Sequence, residues 1–183
     1  THKPFNEHCP ACRQAKMKEK PHFRGGYRRE PTRWGQIVTA DHLVGRRKTK
    51  KRSWVGCENS VNALKDLYSK LIACYPVKDK GFDETVRCIR LFCGDRKIGR
   101  IYSDNSGELV RATKALKIPH EGSQPGVPVS NALAEQNNYD ILQMTKAALR
   151  QAGLPACVWP YAAPCVTFLS NTEPGSDGSP SPW

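Results

Sequence analysis

No run of apolar residues in this 183-residue chain approaches the roughly 20 needed to cross a bilayer, and its first residues lack the apolar stretch of a secretion signal. Neither membrane insertion nor secretion is therefore expected, and no membrane partner. Internal repeats are absent, which removes solenoids and propellers. Acidic residues are scarce at one end: residues 1–52 hold only Glu7, Glu19, Glu30 and Asp41 against a large excess of Lys and Arg. That segment carries almost all of the chain's net charge of +12. A basic end of this kind suits a polyanion, because each cation near a phosphate releases condensed counterions, but it equally describes a solvated basic tail. The 8 cysteines do not have the spacing of a disulfide framework. Cys57, Cys74, Cys88, Cys93, Cys157 and Cys165 stand singly in apolar surroundings, where a free thiol behaves as a small hydrophobe, so a reducing compartment is expected. Only Cys9-Pro-Ala-Cys12 has ligand spacing.

The 38% of hydrophobic residues suffices for one core. Residues 1–33, broken by Pro21, Gly25, Gly26 and Pro31, read as the end of a small module followed by a basic linker. Periodicity then predicts strands over Gln36–Val44, Trp54–Leu67 and Lys70–Val77, and a helix over Phe82–Cys93. A strand from Ile98 to Ser103, a helix from Glu108 to Leu116 and an edge strand from Ile118 to Glu121 follow. After a Pro/Gly/Ser loop at Gly122–Ser130, a long helix runs from an Asn131 cap to a Gly153 stop, and a second begins at Pro155 and reaches about Ser170. Asn171–Trp183, rich in Pro, Ser and Gly, is expected to be a disordered tail. The order predicts one α/β core over 34–170, helices covering a mixed five-stranded sheet.

Asp41 falls near the end of the first predicted strand, Asp104 directly after the fourth, and Glu135 in the first turn of the long helix. Hard cations prefer carboxylate oxygens, and two of them about 4 Å apart can hold the attacking and leaving oxygens of a phosphoryl displacement. A strand-end Asp is as readily a turn residue, and a first-turn Glu as readily complements the helix dipole. Position alone leaves both readings open.

The surrounding sequence separates them. Tyr102-Ser-Asp-Asn-Ser-Gly-Glu108 resembles the T-D-N-G-G-E-F signature of retroviral and retrotransposon integrases, and Ser123–Asn138 (SQPGVPVSNALAEQNN) resembles the segment carrying their third acid. Ala147–Pro155 (AALRQAGLP), Trp159 and Asn171–Pro174 look like the copia-type continuation, while Cys9–Lys16 (CPACRQAK) resembles the end of the family's zinc-binding module. The resemblance implies an RNase H-like integrase core of a copia-type element. Its catalytic site would be Asp41, Asp104 and Glu135 with Mg²⁺ or Mn²⁺, trimming DNA 3′ ends and joining them to target DNA. It further implies double-stranded DNA as partner, a homo-multimer, and a nuclear site of action or a cytoplasmic particle before nuclear entry. Asn105, Asn138, Lys146, Arg150, Arg46, Arg47 and Lys48 become the expected DNA contacts. Cys9 and Cys12 would be half a Zn²⁺ site, with histidines expected upstream.

This chain departs from the pattern in a shortened spacing between Asp104 and Glu135, in Ser106 and Ala132 where the family has glycine, and in Gln136 and Tyr139 where it often has a basic residue. Two alternatives follow: a catalytically decayed DNA-binding remnant, and an RNA–DNA hybrid nuclease on the same fold.

Overall fold

The computed structural model describes residues 8, 30–44, 60–123, 132–175 and 178–183. Cys9, Cys12, Arg46, Arg47, Lys48, Cys57 and the Asn131 cap lie outside the described residues. Five strands form one sheet in the order β3-β2-β1-β4-β5: β1 Val38–Val44, β2 Ser60–Asp66, β3 Ile72–Val77, β4 Ile101–Ser103 and β5 His120–Gly122. β1–β2 and β2–β3 pair antiparallel, while β4 lies parallel to β1 and β5 parallel to β4. The mixed sheet expected from the element order is present.

Alternation along β1 divides the molecule into layers. Val38 and Ala40 face helices α1 (Phe82–Cys93) and α2 (Gly107–Ala115), joining a core with Leu64, Ile89, Phe92, Ile101 and Leu109. The opposite face of the sheet supports α3 (Ala132–Gln151) and α4 (Trp159–Thr172) through Val61, Ala63, Ile72, Cys74, Ile141 and Ala163. α1 matches its predicted limits because its buried Thr85, Cys88, Ile89 and Phe92 keep strict helical spacing. A 3₁₀ turn, Ala156–Val158, precedes α4 where a single helix is predicted from Pro155.

Two polar devices hold the sheet. Asp66 is fully buried and accepts bonds from Gly35 N (2.8 Å), Ser69 N (2.7 Å) and Ser69 Oγ (2.8 Å), closing the β2–β3 turn and anchoring the entry to β1. Gly35 has φ 71°, and a Cβ there would lie 2.9 Å from the Lys97 carbonyl, so only glycine fits. At the outer edge of the sheet, the Asn171 amide pairs both backbone groups of Ile72, accepting from its N–H (2.9 Å) and donating to its carbonyl (2.7 Å). The side chain thereby replaces the neighbour that an edge strand lacks.

Other expectations also differ from the structure. Cys74 and Cys88 are core residues, but Cys93 and Cys157 are only half-buried and Cys165 is exposed, since α4 turns Ala163, Val166, Thr167 and Asn171 inward. Asp41 stands in the middle of β1, not near its end, because β1 continues to Val44 against β2 after β4 has stopped. Segment 171–183, expected to be a disordered tail, starts inside α4. Its described end returns to that helix: Trp183 N donates to the Asn171 carbonyl (3.1 Å) and its ring meets Phe168 edge-on at 5.7 Å.

Candidate active site

Ala40 and Ser103 are partners on the last rung of the parallel β1–β4 ladder. Asp41 and Asp104 are the residues that follow each of them, so the two carboxylates leave neighbouring strands at one level. β4 ends there, while β1 continues to Val44 against β2. The Asp41 side chain projects to the α3 face, where Asn138 Nδ2 donates to its Oδ2 (2.7 Å); His42 N donates to its Oδ1 (2.7 Å). Asp104 Oδ1 accepts from Ser106 N (3.1 Å), an Asx turn that leads the chain into α2. Glu135 lies in the first turn of α3 and is exposed.

Electrostatics connects the three acids. The Asp41 carboxyl is pushed up to about 6, first by burial and then by the like charges of Asp104 and Glu135, against the stabilising His42 N–H and the Lys80 ammonium. Among the described residues, no three His, Cys, Asp or Glu side chains gather closely enough to chelate an ion. The acids share a field without forming a closed cage. A half-buried carboxylate held against two others is nevertheless suited to a hard divalent cation, whose charge would relieve the repulsion.

The remaining predicted residues divide. Asn138 is only 7% exposed and orients Asp41, a different place from the DNA contact expected of it. Asn105 is exposed, yet its Nδ2 is fastened to the Ser123 carbonyl (2.9 Å). Lys146 and Arg150 are exposed on α3, three and four turns beyond Glu135 on roughly its side of the helix. Tyr139, 58% exposed one turn after Glu135, lies on the same side.

Two neighbours escaped the sequence reading. Lys80, in the loop between β3 and α1, acts on both Asp41 and His42. His120 bonds Ser103, the residue before Asp104, at 2.8 Å. No local motif marks either; only strand order brings them to the site.

The fold is that of solved retroviral integrase catalytic cores. The fold matches the catalytic core domain of HTLV-2 integrase in complex with magnesium, with a TM-score of 0.58 and 18% identity over 81% of this chain and 94% of that one. It also matches the catalytic core domain of BIV integrase (TM-score 0.57, 16% identity, 81% and 91%). A further match is a chain of the simian T-cell lymphotropic virus intasome in complex with PP2A regulatory subunit B56 gamma (0.68, 19%, 96% and 62%). No family model matches the chain.

In sequence, the chain is homologous to a segment of plant transposon polyproteins. It is 32% identical over 116 residues to the retrovirus-related Pol polyprotein from transposon RE2 of Arabidopsis thaliana. The corresponding polyprotein of transposon TNT 1-94 of Nicotiana tabacum is 34% identical over 84 residues. The matched segments are 60% and 43% of this chain, but only 8% and 6% of those polyproteins.

Proposed function

We propose that this chain is the catalytic core of a retrotransposon integrase, a polynucleotidyl transferase that trims DNA 3′ ends and joins them to a target duplex. The observation that carries the reading is the adjacency of Asp41 and Asp104 at the end of the β1–β4 ladder, with Glu135 close enough to raise the Asp41 pKa. The homology to Pol polyproteins and the integrase-core fold support it.

Asp41, Asp104 and Glu135 would hold Mg²⁺ or Mn²⁺, as befits oxygen donors of this charge. Such a cation, when bound, would neutralise charge on the reacting phosphate and polarise the attacking oxygen. The chain's own contribution is placement. Asn138 and His42 N fix both oxygens of Asp41, and the Asx turn fixes Asp104, so their orientation is set before substrate arrives. The exposed face of α3, with Lys146 and Arg150, and the basic residues Arg46, Arg47 and Lys48 would take the DNA backbone, as would the exposed Asn105 next to Asp104. Assembly into a homo-multimer belongs to the same reading, in keeping with a neighbour described as trimeric. A Zn²⁺ site at Cys9 and Cys12 remains a separate proposal, tested by zinc content in a chain extended upstream.

Strand transfer by the purified chain on short duplexes with Mn²⁺ tests the activity. Asp104→Asn is expected to abolish it; unchanged joining would overturn the assignment. The second reading, a DNA-binding remnant, is favoured by the absence of a closed three-carboxylate cluster among the described residues. It predicts salt-dependent DNA binding with no joining by the wild-type chain.

A further inference from the structure

β5 is the outermost strand, and its His120 is half-buried. His120 Nε2 lies 2.8 Å from Ser103 Oγ, and Ser103 Oγ donates to the Asp104 backbone carbonyl at 2.8 Å. A serine hydroxyl has one proton, and here it is used on that carbonyl. The Ser103–His120 bond therefore needs a proton on Nε2, which assigns the ring its Nε2–H tautomer.

The location gives these bonds their importance. Asp104 is the first residue beyond β4: the Ser123 N–H still holds the Ser103 carbonyl before it (2.9 Å), while the Asp104 carbonyl lies past the ladder and is held by Ser103 Oγ. Its carboxylate has the Ser106 N–H as partner, a bond that sets the turn into α2 but not the direction of the Asp104 carbonyl. Ser103 is fully buried, so its hydroxyl has a fixed place from which to pass the constraint on.

We propose that His120 is a positioning residue for Asp104: through Ser103 it holds the peptide at the end of β4, so that the Asp104 carboxylate stays beside Asp41. The proposal rests on Asp104 being a metal ligand. It extends to a ligand of this site the principle that groups behind metal-binding side chains set their orientation.

The side-chain reach of two substitutions separates positioning from folding. Gln places its amide nitrogen near the ring Nε2 position, whereas Asn reaches only the Nδ1 position. Mn²⁺ affinity, measured by calorimetry on the whole chain without DNA, is expected to fall about tenfold in His120→Asn and to return to within about twofold of wild type in His120→Gln. Strand transfer is expected to follow the same order. Ser103→Ala should match His120→Asn, and the double variant should lose no more than either alone. Imidazole ¹⁵N spectra should show the Nε2–H tautomer for His120.

Equal losses in the Asn and Gln variants that track their melting temperatures, or wild-type Mn²⁺ affinity in His120→Asn when Asp104→Asn is impaired, overturn the positioning role. Wild-type Mn²⁺ affinity in Asp104→Asn overturns instead the metal reading on which it rests.

Discussion

Asn138 on α3 and Asp41 on β1 are joined by a 2.7 Å hydrogen bond that ties the helix carrying Glu135 to the central strand of the sheet. The Asn138 Oδ1 is buried without a partner, so the amide is committed to this one contact. Asn138→Leu keeps comparable bulk and removes the donor. Mn²⁺ affinity and strand transfer are expected to fall about tenfold or more, with a stability loss of about 1–2 kcal/mol by urea denaturation. A variant with wild-type metal affinity would show that Asp41 is oriented by other means.

Asp41 also sets a pH dependence. Its carboxyl titrates from 3.8 in the unfolded chain and about 6 in the fold. Between these values the folded state holds more protons, so stability falls as pH rises through that window. Above pH 6 the cost levels off at about 3 kcal/mol. Asp41→Asn is therefore expected to raise the melting temperature of the metal-free protein at pH 7 and to have little effect near pH 4. The Asn138 amide can turn to present its oxygen to the new side chain. Added Mn²⁺ should stabilise the wild type and not the variant.

At the sheet edge, Asn171→Ala leaves the Ile72 N–H and carbonyl unpaired. A destabilisation of about 3 kcal/mol is expected. Faster hydrogen exchange should be concentrated at the Ile72 amide, while Mn²⁺ affinity stays near that of wild type because β3 is two strands away from β1.

Gly122 and Asn105 form a coupled pair. A Cβ at Gly122 would lie 1.9 Å from Asn105 Oδ1 and displace the side chain that bonds Ser123. Gly122→Ala is expected to cost about 1–2 kcal/mol. Asn105→Ala in the same chain should recover part of that loss, and additivity of the two changes in a double-mutant cycle would disprove the coupling.

The legibility of the chain was uneven, for physical reasons. α1 could be delimited to the residue because one amphipathic face repeats at helical spacing over three turns. Gly153 stops α3 as expected, with φ 66° and Leu154 N bonded back to the Leu149 carbonyl. Periodicity extends β4 three residues too far: Ile98 is apolar because it enters the core, not because it pairs. The resemblance implies a DNA contact for Asn138, yet the helix turns it inward onto a carboxylate 97 positions earlier in the chain.

What the sequence determined by itself was the class of fold and which three acids are candidates for the site. Binary periodicity specifies element type locally, and the signatures around Asp104 and Glu135 single out those acids among 17. The tertiary structure decided the order β3-β2-β1-β4-β5, and with it everything that depends on contact between distant segments. The raised pKa of Asp41, the roles of Asn138, His120 and Lys80, and the clamp of Asn171 on Ile72 all arise there. Each depends on desolvation or on a hydrogen bond across strands, and neither exists until the sheet has closed.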